Sequence, residues 1–512
     1  MFTVPLLVLF AGCLPELPGG GQQDAPDTQA DTAPEEVCNG VDDDGDGEVD
    51  EGVEQAWYLD ADGDGFGAGD PTLECSSPGS SYAELSGDCD DTSPDTFPDA
   101  TEWCDGVQQD CADEGWQDDA GVATWVAGSG EATDLTPSLS EGVDYEPTPL
   151  LLTESGELRV CAGTWYVTID VAVGVHLTIS DPTASGGAIL DGGDVAQVLQ
   201  VEGGESTTVL SASDVTFTRG RSEADGGCIE IGSGAEVRLT RVQLLDCTAA
   251  DRGGGFAALS GDTRIEIEDT LVTGCSSGSQ GGGMMFGGDV AWWSSDTRLD
   301  RVEISDNTAG GNGGGMHLNG HTATLTSLDV HNNFSNGWGG GIGMAGSEID
   351  LLDSAVTSNS ASANGGGFYA GDQTTATITR TVISENTTTD DGGGAWVEGS
   401  ICVLTDTSIF GNTATGHAGG LDLAYDGGVS SAYNRASCTG SALSASFGFA
   451  GNRDGHDTVE VRVGTGTAFT ATGCDWQGSA EGEPGDVLSE STGAISSWGL
   501  DATFECGDAG CL

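Results

Sequence analysis

Apolar residues in the second half of the chain recur in columns with a period of about 26 residues. The clearest marker is a triplet that reads Gly-Gly-Cys at 226, Ala-Gly-Gly at 418, and Gly-Gly-Gly at 253, 281, 313, 339, 365 and 392. Apolar columns keep a fixed distance from each triplet, as Leu325, Val330 and Ile342 do in one repeat. Apolar and polar residues alternate around these positions, which predicts three short strands per repeat.

One repeat of this length is too small to close a core, but stacked copies bury each apolar column against the same column of the next coil. The pattern therefore predicts an all-β fold, a right-handed parallel β-helix. A polar column precedes each triplet by six residues: Gly220, Cys247, Cys275, Asn307, Asn333, Asn359, Asn386 and Asn412. With coils ~4.8 Å apart, we expect its Asn residues to form a ladder of side-chain amides. The glycines predict a turn with positive φ or close backbone approach.

The rest of the chain differs in composition and divides into further segments. We expect an export signal at 1–13, a flexible tether at 14–37, an Asp-rich module at 38–119, a connector at 120–158, the β-helix at 159–445, and irregular terminal coils with a C-terminal cap at 446–512. The Asp-rich module has five Cys and few aliphatic residues. Its order must therefore come from disulfides, bound metal, or both.

The charge balance narrows the classes of partner. The chain has 13 Lys plus Arg against 84 Asp plus Glu, a formal net charge of -71, and every basic residue is Arg. A polyanion needs clustered cations, so nucleic acid is excluded as a partner. Chemistry that depends on a lysine amine is excluded as well.

The N-terminus indicates export. Residues 4–11 form a short apolar run that stops at Gly12-Cys13, a pattern that resembles a bacterial lipoprotein signal with Cys13 as the lipidated residue. A plain export signal is the alternative. The fourteen other Cys fit an oxidising compartment. We expect a protein at the cell-envelope surface, as an outer-membrane lipoprotein, or outside the cell, with membrane contact only through a lipid anchor.

Two segments of the module have the spacing of a cation-binding loop. In Asp42-x-Asp44-x-Asp46-Gly47 and Asp60-x-Asp62-x-Asp64-Gly65, alternate carboxylates face one concavity and the glycine permits the sharp turn. A site built only from oxygen ligands argues against zinc, and a cage of several carboxylates argues against magnesium, so calcium is the expected ion. The candidate metal ligands are Asp42, Asp44, Asp46, Asp50, Asp60, Asp62, Asp64, Asp88, Asp90 and Asp91.

Sequence spacing also suggests disulfides. Cys104 with Cys111, and Cys506 with Cys511, are close enough in sequence for local bonds. Cys247 and Cys275 occupy adjacent steps of the polar column, where either a disulfide or a reduced stack is reasonable.

Two family resemblances follow from these motifs. The glycine and Asn columns resemble the parallel β-helix repeat proteins, which share the pectate-lyase-like fold and include bacterial surface proteins. The segments Glu36-Val37-Cys38-Asn39-Gly40, Asp60-Ala61-Asp62-Gly63-Asp64-Gly65, Gly87-Asp88-Cys89-Asp90-Asp91 and Trp103-Cys104-Asp105-Gly106 resemble an Asp-rich, Cys-containing metal-binding motif found in several copies in secreted bacterial surface proteins. The final copy has Gln108-Gln109 in place of acidic ligands.

These features favour a non-catalytic, calcium-binding surface protein whose β-helix presents a binding or adhesion surface to a polysaccharide or a cell-surface protein. The alternative is a lyase or glycoside hydrolase acting on an acidic polysaccharide. Trp292 and Trp293 are candidate carbohydrate contacts, and the alternative for them is packing beneath their own loop. We assign no catalytic residue. Asp269, Asp353, Arg241, Arg301 and Arg380 fall at turns and are expected to be solvated, and the histidines are expected on the surface.

Overall fold

The structure is a computed structural model that describes residues 35–113, 119–140, 147–259, 261–288 and 296–424, and the backbone of several later strands. The chain separates into two compact units, the first ending at Phe97 and the second beginning at Pro98. Cys13, Trp292 and Trp293 lie outside the described residues. Within the described ranges, no helix has both the length and the apolar character needed to cross a membrane.

The first unit contains a small four-stranded sheet. Its strands are Gln55–Leu59, Phe66–Glu74, Tyr82–Ala83 and Leu85–Ser86. In the described part of this unit, Trp57 and Ala83 are the buried apolar residues, and Phe66 stacks on Phe97 with ring centroids 5.3 Å apart. So small an apolar core contributes little to stability, because hydrophobic stabilisation scales with buried area.

The second unit begins with a segment that caps the β-helix. Its regular elements are the strands Ala123–Ala127 and Ala132–Asp134, the helix Thr136–Ser140 and the strand Thr148–Leu152. Ala123–Ala127 pairs antiparallel with Gly156–Val160, the first coil strand. A disulfide between Cys104 and Cys161 ties the preceding residues to the same place. Residues 98–119 of the Asp-rich segment thus belong to the second unit.

The β-helix is built from coils whose strands stack in parallel into four walls, numbered in chain order. Wall one consists of Gly156–Val160, His176–Ser180, Val209–Ser213, Glu236–Thr240, Arg264–Glu268, Asp296–Asp300, Thr322–Thr326, Glu348–Leu352, Thr375–Thr379, Ile401–Thr405, Arg435–Thr439 and Ala468–Thr472. Wall two consists of Ala188–Asp191, Val215–Thr218, Gln243–Leu245, Leu271–Thr273, Glu303–Ser305, Asp329–His331, Ala355–Thr357, Val382–Ser384, Ser408–Phe410 and Gly448–Ala450.

Walls three and four complete each coil. Wall three consists of Arg221–Ser222, Thr248–Ala249, Ser276–Ser277, Thr308–Ala309, Phe334–Ser335, Ser360–Ala361, Thr387–Thr388 and Thr413–Ala414. Wall four consists of Thr148–Leu152, Leu199–Val201, Ile229–Ile231, Phe256–Ala258, Met284–Phe286, Met316–Asn319, Ile342–Ala345, Phe368–Gly371, Ala395–Glu398, Leu421–Ala424, Val461–Val463 and Val487–Ser489. Gly163–Val171 crosses from wall two to wall four, and the antiparallel strands Asp501–Gly507 and Gly510–Cys511 follow the last coils.

The predicted parallel β-helix is thus confirmed, with one strand more per coil than expected. The strands of wall three have two residues each, too few to leave an alternating pattern in the sequence. The predicted apolar columns form the core, since Leu325, Val330 and Ile342 are all at most 1% exposed. They stack in register, with Ile304 beside Val330 and Val330 beside Val356.

The Asn column forms the expected ladder inside the corner between walls two and three. Asn333 Oδ1 accepts hydrogen bonds from the backbone N–H and the Nδ2 of Asn307, each at 3.0 Å. Asn333 Nδ2 in turn donates to the carbonyl of Ile304 at 2.8 Å and to Asn359 Oδ1 at 3.0 Å. The same contacts continue through Asn386 and Asn412. Every buried amide group therefore has a partner in a neighbouring coil.

The glycine triplets form the turn between walls three and four. Gly253 has a φ of 65°, and a Cβ on Gly254 would lie 2.2 Å from the carbonyl oxygen of Gly282 in the next coil. A side chain at the second triplet position would force the coils apart. This close approach explains why the triplets recur once per coil.

The charged turn residues pair with one another in the corner between walls one and two. One residue with a backbone φ of 49–59° occupies this corner in each of eight successive coils: Asp214, Arg241, Asp269, Arg301, Ser327, Asp353, Arg380 and Asp406. Arg241, Arg301 and Arg380 contact Asp214, Asp269 and Asp353 of the previous coil at 2.5–2.6 Å. The Arg side chains are 50–56% exposed, so solvent screens these pairs and each contributes little to stability. Hydrogen bonds from Arg301 and Arg380 lower the pKa of Asp269 and Asp353.

The cysteine pairing differs from the local bonds suggested by spacing. Cys104 bonds to Cys161 rather than to Cys111, because the motif folds back against the first coil; Cys111 is itself disulfide-bonded. Cys247 bonds to Cys228, with Cα atoms 5.5 Å apart, and Cys275 is a free, buried thiol. Burial raises the pKa of Cys275 to about 12. Cys506 and Cys511 are backbone register partners in antiparallel strands, and their disulfide stays a prediction.

Two histidines expected on the surface are buried. His317 and His321 are 1% and 2% exposed, because His317 lies under the turn before wall four and His321 fills an inward corner. His321 Nε2 lies 2.7 Å from Thr297 Oγ1. Burial lowers the pKa of both side chains to about 4, so both are neutral at pH 7.

The Asn ladder predicts a specific loss of stability. Asn333→Ala leaves the N–H of Asn307 without its acceptor and the carbonyl of Ile304 without its amide donor. We expect the free energy of unfolding to fall by about 2 to 3 kcal/mol. Urea denaturation followed by circular dichroism measures it. Asn336→Ala, at an exposed turn position nearby, is the control and should change it by less than about 0.5 kcal/mol. Equal effects of the two variants would contradict the ladder's role.

Candidate metal centre

The first acidic loop brings five carboxylates together. Ligand oxygens of Glu36, Asp42 and Asp44 lie within 4.8 Å of one another, and so do those of Asp44, Asp46 and Glu51. The loop closes because Asp42 accepts hydrogen bonds from the backbone N–H of Gly45 at 2.6 Å and of Gly47 at 3.0 Å. Its two glycines have positive φ. Asp44 belongs to both groups and therefore lies at the centre of the loop.

Asp50, a predicted metal ligand, lies outside the two carboxylate groups of the first loop. It is 9% exposed, and its carboxylate accepts hydrogen bonds from the backbone N–H of Asn39 and Gly40, each at 2.9 Å. Asp50 thus holds the start of the motif in place and lies outside the ligand groups. Glu36 takes a place in the loop that the alternating Asp pattern did not indicate. Its signal in the sequence was the repeat of a Glu two residues before Cys38 and Cys104.

The second acidic loop draws on residues far apart in sequence. Asp60, Asp62 and Asp64 form one group within 4.8 Å, and Asp62, Asp88 and Asp91 form another. The small sheet joins them, because the backbone N–H of Gly87 donates to the carbonyl of Gly67 at 3.2 Å. Asp91 also accepts a hydrogen bond from the N–H of Ala61 at 2.6 Å. Asp90 instead accepts from the Thr92 hydroxyl and lies outside both groups.

Without a bound cation, the clustered carboxylates of these loops are electrostatically unfavourable. One oxygen on each of Glu51, Asp62, Asp64 and Asp88 is buried and has no hydrogen-bond partner. Burial, with further contributions from neighbouring carboxylates, raises the pKa of Asp62 and Asp88. Buried anionic oxygens are costly unless a cation or a donor compensates them. The residues fit a hard, oxygen-preferring cation for this reason.

A third copy of the motif, at Glu102 to Asp119, uses amides where the first copy has carboxylates. Asp119 accepts from the N–H of Asp105 and Gly106 at 2.9 and 2.6 Å, as Asp50 does in the first copy. Gln109 Nε2 donates to both carboxylate oxygens of Asp105 at 3.1 and 3.2 Å. The Gln109 side chain is 4% exposed. In this copy an amide donor therefore compensates the two oxygens of Asp105, whereas Glu102 Oε2 is buried without a hydrogen-bond partner.

Comparison with known proteins agrees with this assignment. Residues 26–51 and 88–115 match a family model described as "Putative metal-binding motif". The two matched segments contain the first copy of the motif, the third copy up to residue 115, and Asp88 and Asp91 of the second loop. No curated protein and no solved structure matches the chain.

The third copy generates a prediction. Gln109→Glu replaces two donors to Asp105 with a like charge, so we expect the β-helix unit to lose about 1 to 3 kcal/mol of unfolding free energy. Urea denaturation in a chelator measures the loss. Gln243→Glu, at an exposed wall-two position, is the matched control. If the two variants were equally stable, the amide would have no such role.

Proposed function

We propose that this chain is an exported cell-surface protein in which calcium holds the N-terminal unit together and the β-helix presents an extended surface to a partner, without catalysis. The observation that carries the calcium assignment is the pair of carboxylate clusters with buried, unpartnered oxygens at Glu51, Asp62, Asp64 and Asp88. Calcium accepts six to eight oxygen ligands, including several carboxylates. Waters would complete each shell.

The ligand chemistry supports calcium over a softer metal. Every member of the four groups is Asp or Glu. Cys38, Cys75 and Cys89 of the same unit are disulfide-bonded, so they supply no thiolate. The name of the matched family model refers to copper. Copper prefers imidazole and sulfur ligands, which makes it the second metal to test here.

The metal's role would be structural. The first unit has one four-stranded sheet and a very small apolar core, so mutual repulsion of its carboxylates is a large destabilising term. A bound dication removes that repulsion and links residues of the loop at Asp60 to those at Asp88. The disulfide between Cys38 and Cys75 connects the first loop to the sheet.

Export is supported by the disulfides. Bonds at Cys38–Cys75, Cys104–Cys161 and Cys228–Cys247 are typical of oxidising compartments. Lipidation of Cys13 belongs to the same proposal.

The β-helix would act as a rigid support for binding. Three Arg–Asp pairs line the corner between walls one and two: Arg241 with Asp214, Arg301 with Asp269, and Arg380 with Asp353. These pairs follow the coil repeat, as a structural role requires.

Metal titration tests the proposal. By calorimetry of the mature protein, we expect at least two calcium ions to bind, and Asp62→Asn to weaken or remove one of them, because Asp62 belongs to both groups of the second loop. Asp95→Asn, at an exposed position outside the groups, is the control and should bind as the wild type does. Absence of calcium binding, or copper binding that Asp62→Asn weakens while calcium does not compete, would overturn the calcium assignment.

A further inference from the structure

The outer face of wall four carries a cluster of three aromatic rings. Tyr369 and Trp396 are register neighbours in successive coils, with ring centroids 5.3 Å apart and an interplanar angle of 25°. Trp338, from the turn before wall four, lies against both, at 5.2 Å from Tyr369 and 5.7 Å from Trp396. Tyr369 and Trp396 are 3% and 7% exposed, whereas Trp338 is 37% exposed.

The cluster fixes Trp338 in place and leaves part of its indole open. Two aromatic neighbours hold the ring, and the backbone of Trp338 is fixed by its N–H, which donates to Asn312 Oδ1 at 2.9 Å. A rigid exposed aromatic ring loses little conformational entropy on binding, which is typical of residues that dominate binding energy. If the Trp338 ring served only to pack against its neighbours, it could be fully covered.

Polar groups flank the ring on both sides along the β-helix axis. Asn312 and Asn364 occupy the position of Trp338 in the coils before and after it. Each uses its Oδ1 to accept a backbone N–H, from Trp338 and Asp391 respectively. Among the described residues, neither Nδ2 group has a hydrogen-bond partner. Each amide thus offers two donors beside the indole.

Two buried nitrogens on the same face also lack partners. Trp396 Nε1 and His317 Nδ1 are buried without a hydrogen bond. His317 Nδ1 is directed along the outer face toward Gly343, where a Cβ would lie 2.3 Å from it. Gly343 is the register neighbour of both His317 and Tyr369. Unpartnered polar atoms in a buried aromatic setting point to a ligand that carries hydroxyl groups.

We propose that this face, formed by Trp338, Tyr369, Trp396, Asn312 and Asn364, binds a neutral, extended glycan that runs along the β-helix axis. A sugar ring stacks on Trp338 and the neighbouring sugars hydrogen-bond to the two Asn amides. Successive coils are ~4.8 Å apart, close to the length of one sugar unit, so each coil meets one sugar. A net charge of -71 disfavours an anionic polymer, because like charges repel.

This inference rests on the proposed role of the β-helix as a binding surface, and it is independent of calcium. The test is calorimetric titration of the full mature chain with cellohexaose, chitohexaose and maltohexaose, and with polygalacturonate as an anionic comparison. Each titration is run in calcium and in chelator. We expect at least one neutral hexasaccharide to bind equally well in both, and polygalacturonate not to bind.

Variants locate the site. Trp338→Ala should weaken binding at least about tenfold, whereas Phe410→Ala removes a ring of similar exposure, 40%, and should have no effect. Asn312→Asp with Asn364→Asp keeps the Oδ1 acceptors that the fold uses and removes the free donors, so it should also weaken binding while the urea midpoint stays unchanged.

Binding of none of the three neutral hexasaccharides, binding of polygalacturonate alone, or unchanged affinity in Trp338→Ala would overturn the inference. Glycan binding that persists in a chain without calcium affinity would leave this inference standing and remove only the calcium proposal.

Discussion

The structure depends on the constraint that each coil of the β-helix is complete only when another coil lies in register against it. Backbone groups, apolar side chains and the Asn amides all find their partners one coil away, as Asn333 does with Asn307 and Asn359. A one-residue shift in the register between coils would turn the apolar columns outward and would also break the Asn ladder. The end coils lack one such neighbour, and antiparallel strands cover them, Ala123–Ala127 at the start and Asp501–Gly507 at the end.

Because the constraint repeats, much of the fold could be predicted from sequence. Apolar columns, such as the one that contains Val330, indicate which residues face the core. The glycine triplets indicate where the turn leaves no room for a side chain. Features fixed by contacts between segments left no such signal. Cys104 pairs with Cys161 because the third motif copy folds against the first coil, and sequence distance favoured Cys111. His317 has an outward strand position but is buried, because the preceding turn approaches it so closely that a Cβ on Gly313 would lie 2.9 Å from the His317 Cβ.

The candidate metal site, too, could be predicted in part from the sequence and depends in part on contacts between distant segments. Alternating Asp residues in one loop could be predicted to converge. Asp60, Asp62 and Asp64 form one such group, whereas in the first loop Asp44 lies in separate groups with Asp42 and with Asp46. The meeting of Asp62 with Asp88 and Asp91 depends on sheet pairing across the unit. Asp50 has the right residue type but accepts backbone N–H groups instead. In the third copy, Gln109 replaces a charge with an amide donor. Stacked coils stabilise the second unit, whereas the first unit combines clustered carboxylates with a very small apolar core.

The central claim is that bound calcium stabilises the first unit while coil stacking alone stabilises the β-helix. Hydrogen–deuterium exchange of the full mature chain, in calcium and in chelator, tests it most directly. Residues 35–97 contain the carboxylate clusters and a very small apolar core. The account predicts that chelation speeds exchange throughout this segment and leaves the amides of walls one to four, between 156 and 424, unchanged. Equal exchange in both conditions for residues 35–97, or faster exchange across the β-helix in chelator, would contradict it.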